Sequence, residues 1–229
     1  MKTLQINKAE DETLYRPVMG IYGLDIDEVD IIKSCQSEAF ARSTKCFSKI
    51  RDPYYSMDAV CPYHSGQYLT YLYFLGNTIF NTYLSKGQEN QAAQNACDKI
   101  FMTSLTINGA DIYYAHKMPD IFYPAHPLGA VLTGKAMIGD YFFFMQGCNL
   151  GINKGVGPSL GSGVVMWGGS KIVGNCHIGN NVMLGANTYI KDMDVPDNSI
   201  VYGQYPNVII KENREDEVKS MLDERFIMN

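Results

Sequence analysis

The sequence predicts an α+β chain in two parts, an N-terminal α-helical domain followed by a parallel β-helix of hexapeptide repeats. Three observations predict it. From Leu160, apolar residues recur at intervals of six through Met166, Ile172, Ile178, Leu184 and Ile190, and the same rhythm begins earlier at Ile138, Phe144 and Leu150. A hexad repeat is the signature of a parallel β-helix, in which each repeat is one short strand and a turn, with its apolar residue inside the coil. Before about residue 106 glycine is sparse and apolar residues fall at helical spacing instead. The 229 residues suffice for a real core and one to two domains.

In chain order, Val29, Ile32, Cys35 and Ala39 share one helical face, and Tyr68, Leu69, Leu72, Leu75, Ile79 and Tyr83 share another. A third helix is expected over residues 88–105, where Ala92, Ala96, Ile100 and Met102 or Thr103 fall together without Gly or Pro. Between the first two, Arg51-Asp52-Pro53-Tyr54-Tyr55 reads as a turn, because proline disfavours helical geometry in the residue before it. The step from Leu150 to Leu160 is ten residues instead of six, so residues 152–159 (INKGVGPS) are expected to form a loop thrown out of one corner. Loops on rigid scaffolds often carry function. Residues 212–226 should form a terminal helix through Val218, Met221 and Leu222. The expected domains are 1–105 helical, 106–211 β-helix and 212–229 terminal helix and tail.

Composition excludes several classes. Apolar residues make up 46% and charged residues 19%, near the globular average and unlike a disordered or collagen-like chain. A formal charge of −5 offers no electrostatic footprint for nucleic acid. The six cysteines (Cys35, Cys46, Cys61, Cys97, Cys148, Cys176) form no CxxC pair, and the N-terminal stretch MKTLQINKAEDETLYRP has no apolar core of signal-peptide type, so a cytoplasmic location is expected. The most apolar stretch, 68–84, is broken by Thr70, Gly76, Asn77, Thr78, Asn81 and Thr82, whereas a spanning helix wants ~20 mostly apolar residues. It is expected to be a buried helix, with no membrane partner.

Specific motifs narrow the reading. His126-Pro-Leu-Gly129 is followed nine residues later by Ile138 and the first regular hexads. Downstream come Gln146-Gly-Cys-Asn-Leu-Gly151, Lys171-Ile-Val-Gly-Asn175, Ile178-Gly179, Leu184-Gly185-Ala186, Val195-Pro196 and Val201-Tyr-Gly203-Gln-Tyr-Pro206. These segments resemble the hexapeptide-repeat acyltransferases, whose coils form a left-handed parallel β-helix, and among them the serine O-acetyltransferases. The resemblance extends to the helical half: Arg51-Asp52-Pro53 matches the family's Arg-Asp-Pro turn, and Asp111 stands fifteen residues before His126 as the family's catalytic Asp does. It covers roughly residues 40–212. Hexads alone would identify only a scaffold that hosts many functions.

The resemblance implies an acetyl-CoA-dependent O-acetyltransferase of the cysteine-biosynthesis type. An alcohol is a poor nucleophile at neutral pH and needs a base to take its proton, a role suited to an imidazole. His126 is the candidate general base. Asp111 is the candidate carboxylate that fixes its tautomer and stabilises the imidazolium. Asp52 either pairs with a substrate ammonium, as the family residue does, or simply bonds its own turn backbone. Arg51 and Gln146 are assigned to the acceptor side. Acetyl-CoA, the co-substrate, is implied to lie in the groove between neighbouring β-helices of a homotrimer, with Gly168 and Ala186 beside the pantetheine, Lys191 near the phosphates and Gly151 also assigned to the cofactor. The family's helical domain can pair two trimers into a hexamer. No metal is implied.

Departures from the family pattern bear on the acceptor. Where serine acetyltransferases carry Arg-His before Pro to hold the amino acid's carboxylate, this sequence has Val156-Gly157-Pro158, and Ala125 replaces the Asp that precedes the catalytic His. A bidentate Arg is not replaced by a Val. A sugar, nucleotide-sugar or other small alcohol therefore stands beside serine as acceptor, and free L-serine is expected to be a poor one unless Lys154 restores the charge. The tail Phe226-Ile-Met-Asn229 lacks the terminal Ile with which the family docks its cysteine-synthesis partner, so that complex is not expected. Two rivals remain. One is the zinc-binding hexapeptide class, but His116, His126 and His177 stand ten and fifty-one residues apart, against about five for two ligands on one coil. The other is a non-catalytic trimeric scaffold.

Overall fold

In the computed structural model, which describes residues 4–55, 57–85 and 87–228, helices give way to a parallel β-helix as the sequence predicts. The helical part comprises α1 (Arg16–Tyr22), α2 (Ile26–Phe47), α3 (Ser65–Tyr83) and α4 (Gln91–Asn108). Helix α2 opens on a reciprocal cap in which Asp25 accepts from the N3 backbone and Glu28 accepts the Asp25 N–H. The buried Glu28 carboxylate also receives two bonds from Lys99 Nζ, at 2.7 and 2.9 Å. Burial alone would raise its pKa, but Lys99 and the cap hold it below the usual carboxylate value. Helix α3 is apolar all round because it packs against both α2 and α4, which is why residues 66–79 are buried. Among the described residues no helix is long and apolar enough to cross a membrane. The six cysteines are free and buried.

Two boundaries differ from those read in the sequence. Helix α4 runs Gln91–Asn108 rather than 88–105, because the Asn90 side chain accepts the Ala93 N–H and Gly109, at φ 66°, ends the helix in the left-handed region. The terminal helix α5 is Glu215–Asp223, shorter than 212–226. Strand β14 claims the chain up to Lys211 at one end, and after α5 the chain returns to pair Phe226 with Ile50 at the other.

The β-helix has three faces. The first stacks β1 (Asp111–Ile112), β3 (Val131–Leu132), β6 (Asn149–Gly151), β9 (Lys171–Val173) and β12 (Tyr189–Lys191). The second stacks β2 (Phe122–Pro124), β5 (Phe142–Phe144), β8 (Val165–Met166), β11 (Met183–Leu184) and the start of β13 (Ile200–Gln204), which forms a closing hairpin with β14 (Asn207–Lys211). The third stacks β4 (Met137–Ile138), β7 (Ser159–Leu160) and β10 (His177–Ile178).

Every hexad residue falls into one of three inward columns. They are Leu132, Leu150, Ile172 and Ile190 on the first face, Phe144, Met166, Leu184 and Val201 on the second, and Ile138, Leu160 and Ile178 on the third. All but Ile138 are buried. Each such side chain stabilises by about 1.5–3 kcal/mol. The long step between Leu150 and Leu160 is a tight hairpin, Asn153-Lys154-Gly155-Val156, with both central residues at positive φ and two backbone bonds of 3.0 and 2.9 Å closing it.

The outer side of the second face is not solvated. Tyr123, Phe143, Val165 and Met183 form its outward column and are buried, with Phe226 of the returning tail set edge-on against Tyr123. The tail is thus a lid on that face.

A titratable group without an ionic partner among the described residues stands where the two parts meet. His116 is buried, with Nε2 3.1 Å from the Ala136 carbonyl and Nδ1 unpartnered among the described residues, and its backbone carbonyl accepts from Tyr73 of α3 at 2.6 Å. Burial lowers its pKa, so the unfolded chain binds a proton there before the native one does. Stability is therefore expected to fall as pH drops below about 6.5, with this residue contributing up to about 1.4 kcal/mol per pH unit until its folded pKa is passed. Urea midpoints from pH 7.5 to 5.5 should show the slope, and His116→Gln should reduce it.

Candidate functional site

The corner that carries His126 is longer than the corners stacked with it. On the second face Pro124 pairs with Phe144 at an offset of 20, while on the first face Val131 pairs with Asn149 at an offset of 18, so this corner holds two extra residues. They bulge outward and put His126 at φ 53°, exposed. Left-handed geometry costs a non-glycine residue about 1–2 kcal/mol and persists only where its surroundings fix it. Here Ala125 N–H donates to the Phe144 carbonyl at 2.9 Å, Ala130 N–H to Pro127 at 3.0 Å and Gly129 N–H to Gly109 at 2.7 Å.

His126 lines a cleft of about 300 Å³ shared with Arg51, Tyr123, Phe143, Met145, Trp167, Glu224 and Arg225. Three stretches distant in sequence converge: the Arg51 turn, the outer side of the second face and the returning tail. Arg51 N–H donates to the Arg225 carbonyl at 2.7 Å, and Arg51 Nε to the Phe226 carbonyl at 3.0 Å. The Arg225 guanidinium lies 4.8 Å from the Trp167 ring centre and 5.3 Å from that of Phe143.

Asp52 sits directly behind this cleft. Its Oδ1 accepts the Tyr54 N–H at 2.8 Å and its Oδ2 accepts the Tyr123 hydroxyl at 2.5 Å. A carboxylate has about four acceptor directions, so the turn bond leaves capacity for a further donor. The Tyr123 hydroxyl is pushed well above its ordinary pKa by burial and by Asp52, which keeps it a donor. His64, which the sequence reading passed over, caps α3 by accepting the Gln67 N–H on Nδ1 at 3.3 Å. Burial lowers its pKa, the nearby Asp52 opposes this, and proximity to His126 acts in the same direction as burial. Tyr55 packs edge-on against both His64 and Tyr123, its buried hydroxyl unpartnered among the described residues.

Other residues singled out in the sequence fall into two groups. By strand register Gln146, Gly168 and Ala186 form one column at the corner between the second and first faces, the corner that carries His126. Gly151 and Lys191 form another column, at the far end of the first face, where Lys191 Nζ lies 5.9 Å from the Tyr205 ring centre. One chain does not bring these columns together. Asp111 opens β1 beside the His126 corner, yet no hydrogen bond joins the two side chains among the described residues. The 152–159 hairpin leaves from the corner between the first and third faces, and Lys154 does not line the cleft. A Cβ at Gly157 would come within 2.8 Å of the Lys135 carbonyl oxygen, so that position accepts no side chain. His177 pairs with Asp194 at 2.8 Å, and no group of three metal-ligating residues exists among the described residues.

No family model matches the chain. It is 33% identical over 112 residues to a serine acetyltransferase from Synechococcus elongatus, a match spanning 47% of this chain and about half, 46%, of that relative. A crystal structure of serine acetyltransferase from Brucella abortus superposes with a TM-score of 0.67 at 20% identity, covering 89% of this chain and 84% of the other. The same enzyme in complex with coenzyme A superposes at 0.62 and 20% identity, covering 90% and 93%. The chain is a hexapeptide-repeat protein, similar in sequence to serine acetyltransferases and built on their fold.

Proposed function

We propose that this protein transfers the acetyl group of acetyl-CoA to the hydroxyl of a small acceptor, with His126 as general base. The observation that carries the reading is the two-residue bulge that displays His126 at the head of the Gln146, Gly168 and Ala186 column. An exposed imidazole in a polar and aromatic cleft suits removal of a proton from an attacking alcohol. The thioester carbonyl would take the electron pair, and the coenzyme thiol would leave. Coenzyme A bound to the Brucella abortus enzyme supports acetyl-CoA as the donor.

The same reading assigns Asp111 to orienting His126, Arg51 and Asp52 to the acceptor side, and Gly151, Gly168, Ala186 and Lys191 to the cofactor. The two cofactor columns lie at different corners of one coil, and a threefold arrangement sets one corner of each chain against another corner of its neighbour. We therefore assign a homotrimer as the active form. Serine, the acceptor named for the relatives, is the first candidate. A sugar hydroxyl is the second, favoured by a loop whose Val156-Gly157 carries no cation. The experiment is thiol release from acetyl-CoA with serine, its amide and a panel of sugars, alongside sedimentation. Acceptor-dependent release by a trimer is expected. No release with any acceptor would remove the reading, and a monomer active at high dilution would remove the shared groove.

A further inference from the structure

We infer that Arg225, carried by the C-terminal tail, holds an anionic group of the acceptor, so that the acceptor is a small alcohol bearing a carboxylate. The inference rests on the acetyl-transfer reading of the cleft. Arg225 and His126 line the same cleft, although they lie ninety-nine residues apart and on different elements. The Arg225 side chain is only 18% exposed, and its guanidinium rests on two aromatic rings, which restrict the orientation of its plane. Its hydrogen bonds, to the Met221 carbonyl at 3.2 Å and to Glu224 Oε2 at 2.9 Å, both come from Nη1. Nε and Nη2 therefore have no partner among the described residues. These two donors form the fork that matches a carboxylate in bidentate fashion.

The local charge agrees. In a chain of net charge −5, this cleft gathers Arg51 and Arg225 against the single carboxylate of Glu224, which is largely exposed. A small anion entering beside His126 meets a cation already desolvated on one side by Trp167 and Phe143. The tail thus brings a positive charge into a cleft that Lys154, the cation of the 152–159 hairpin, does not line.

The test compares L-serine with L-serinamide, which differ in the carboxylate, in the wild-type protein, Arg225→Gln and Arg225→Lys. Acetyl transfer gives one readout. Fluorescence of Trp167, the single tryptophan, gives a second that needs no turnover. The wild type is expected to prefer serine, and Arg225→Gln to reduce the serine-to-serinamide ratio in kcat/KM and in affinity by about 10–100-fold, the loss of one charge-assisted contact. Arg225→Lys, which keeps the charge without the fork, should fall between them, and it carries the test should the Gln variant not fold. Equal binding of serine and serinamide by the wild type, or binding of neither, overturns the inference even if acetyl transfer proceeds. So does an Arg225→Gln protein that loses coenzyme A affinity instead, since the guanidinium would then belong to the cofactor's phosphates. An Arg225-dependent preference for serine in fluorescence, with no turnover of any acceptor, would uphold the inference and remove the acetyl-transfer reading alone.

Discussion

Replacing His126 with alanine is expected to lower acetyl transfer by about 10²–10⁴-fold, the range for loss of a positioned general base, with the KM for acetyl-CoA little changed. The split between turnover and cofactor affinity is what the geometry implies. His126 stands on the bulge outside the regular corner, whereas Gly168 and Ala186 belong to the coils stacked below it and keep their backbone positions when an exposed side chain is removed. Asp111→Asn should lower turnover less, because among the described residues no hydrogen bond ties Asp111 to His126. Thiol release at saturating acetyl-CoA checks both. A wild-type rate from His126→Ala with any competent acceptor would exclude the imidazole as base.

The fold was legible wherever one physical rule governs consecutive residues. A coil that repeats three short strands must bury one residue in six, so the hexads from Ile138 to Ile190 map one by one onto the inward columns. The four extra residues after Leu150 were legible as an interruption, and they form the Asn153–Val156 hairpin. Helix ends were less visible from periodicity alone. The signals were present in Asn90 and Gly109, the caps of α4, and apolar spacing does not detect them. Helix α1 was missed because seven residues are too few for a repeating pattern, although Pro17 near its start is a common opening.

The site divides in the same way. His126 and the Arg51-Asp52 turn were found through motif spacing, a local property. The rest of the cleft is assembled by tertiary packing. Phe143 and Tyr123 read as ordinary strand residues, and only the lid placed over the second face makes them walls of a site. Trp167 is the single tryptophan, and nothing in the sequence links it to Arg225. The tail itself read as an amphipathic helix from Val218, Met221 and Leu222, a pattern that says that it packs but not where. Strand register also separated residues that the resemblance had grouped: Gly151 and Lys191 stand at one corner, Gly168 and Ala186 at another.

Phe226→Ala is expected to cost about 3–5 kcal/mol of stability and to abolish acceptor use with it. Phe226 is fully buried, set edge-on against Tyr141 at 5.6 Å and Tyr123 at 6.3 Å, and its carbonyl accepts Arg51 Nε at 3.0 Å. The residue therefore fastens the tail to the coil through its ring and to the Arg51 turn through its backbone carbonyl. Truncation leaves a cavity between two rigid aromatic walls that cannot close over it, which places the cost at the upper end for a buried side chain. Arg225 and Glu224, immediately before it, reach the cleft only because the tail is pinned there. Phe226→Leu retains most of the volume and should lose less than about 1.5 kcal/mol and keep activity. Urea unfolding measures the first effect and thiol release the second. If Phe226→Ala unfolds at the wild-type midpoint and turns over acceptor normally, the tail is not seated on the second face in solution, and the cleft must be closed by something else.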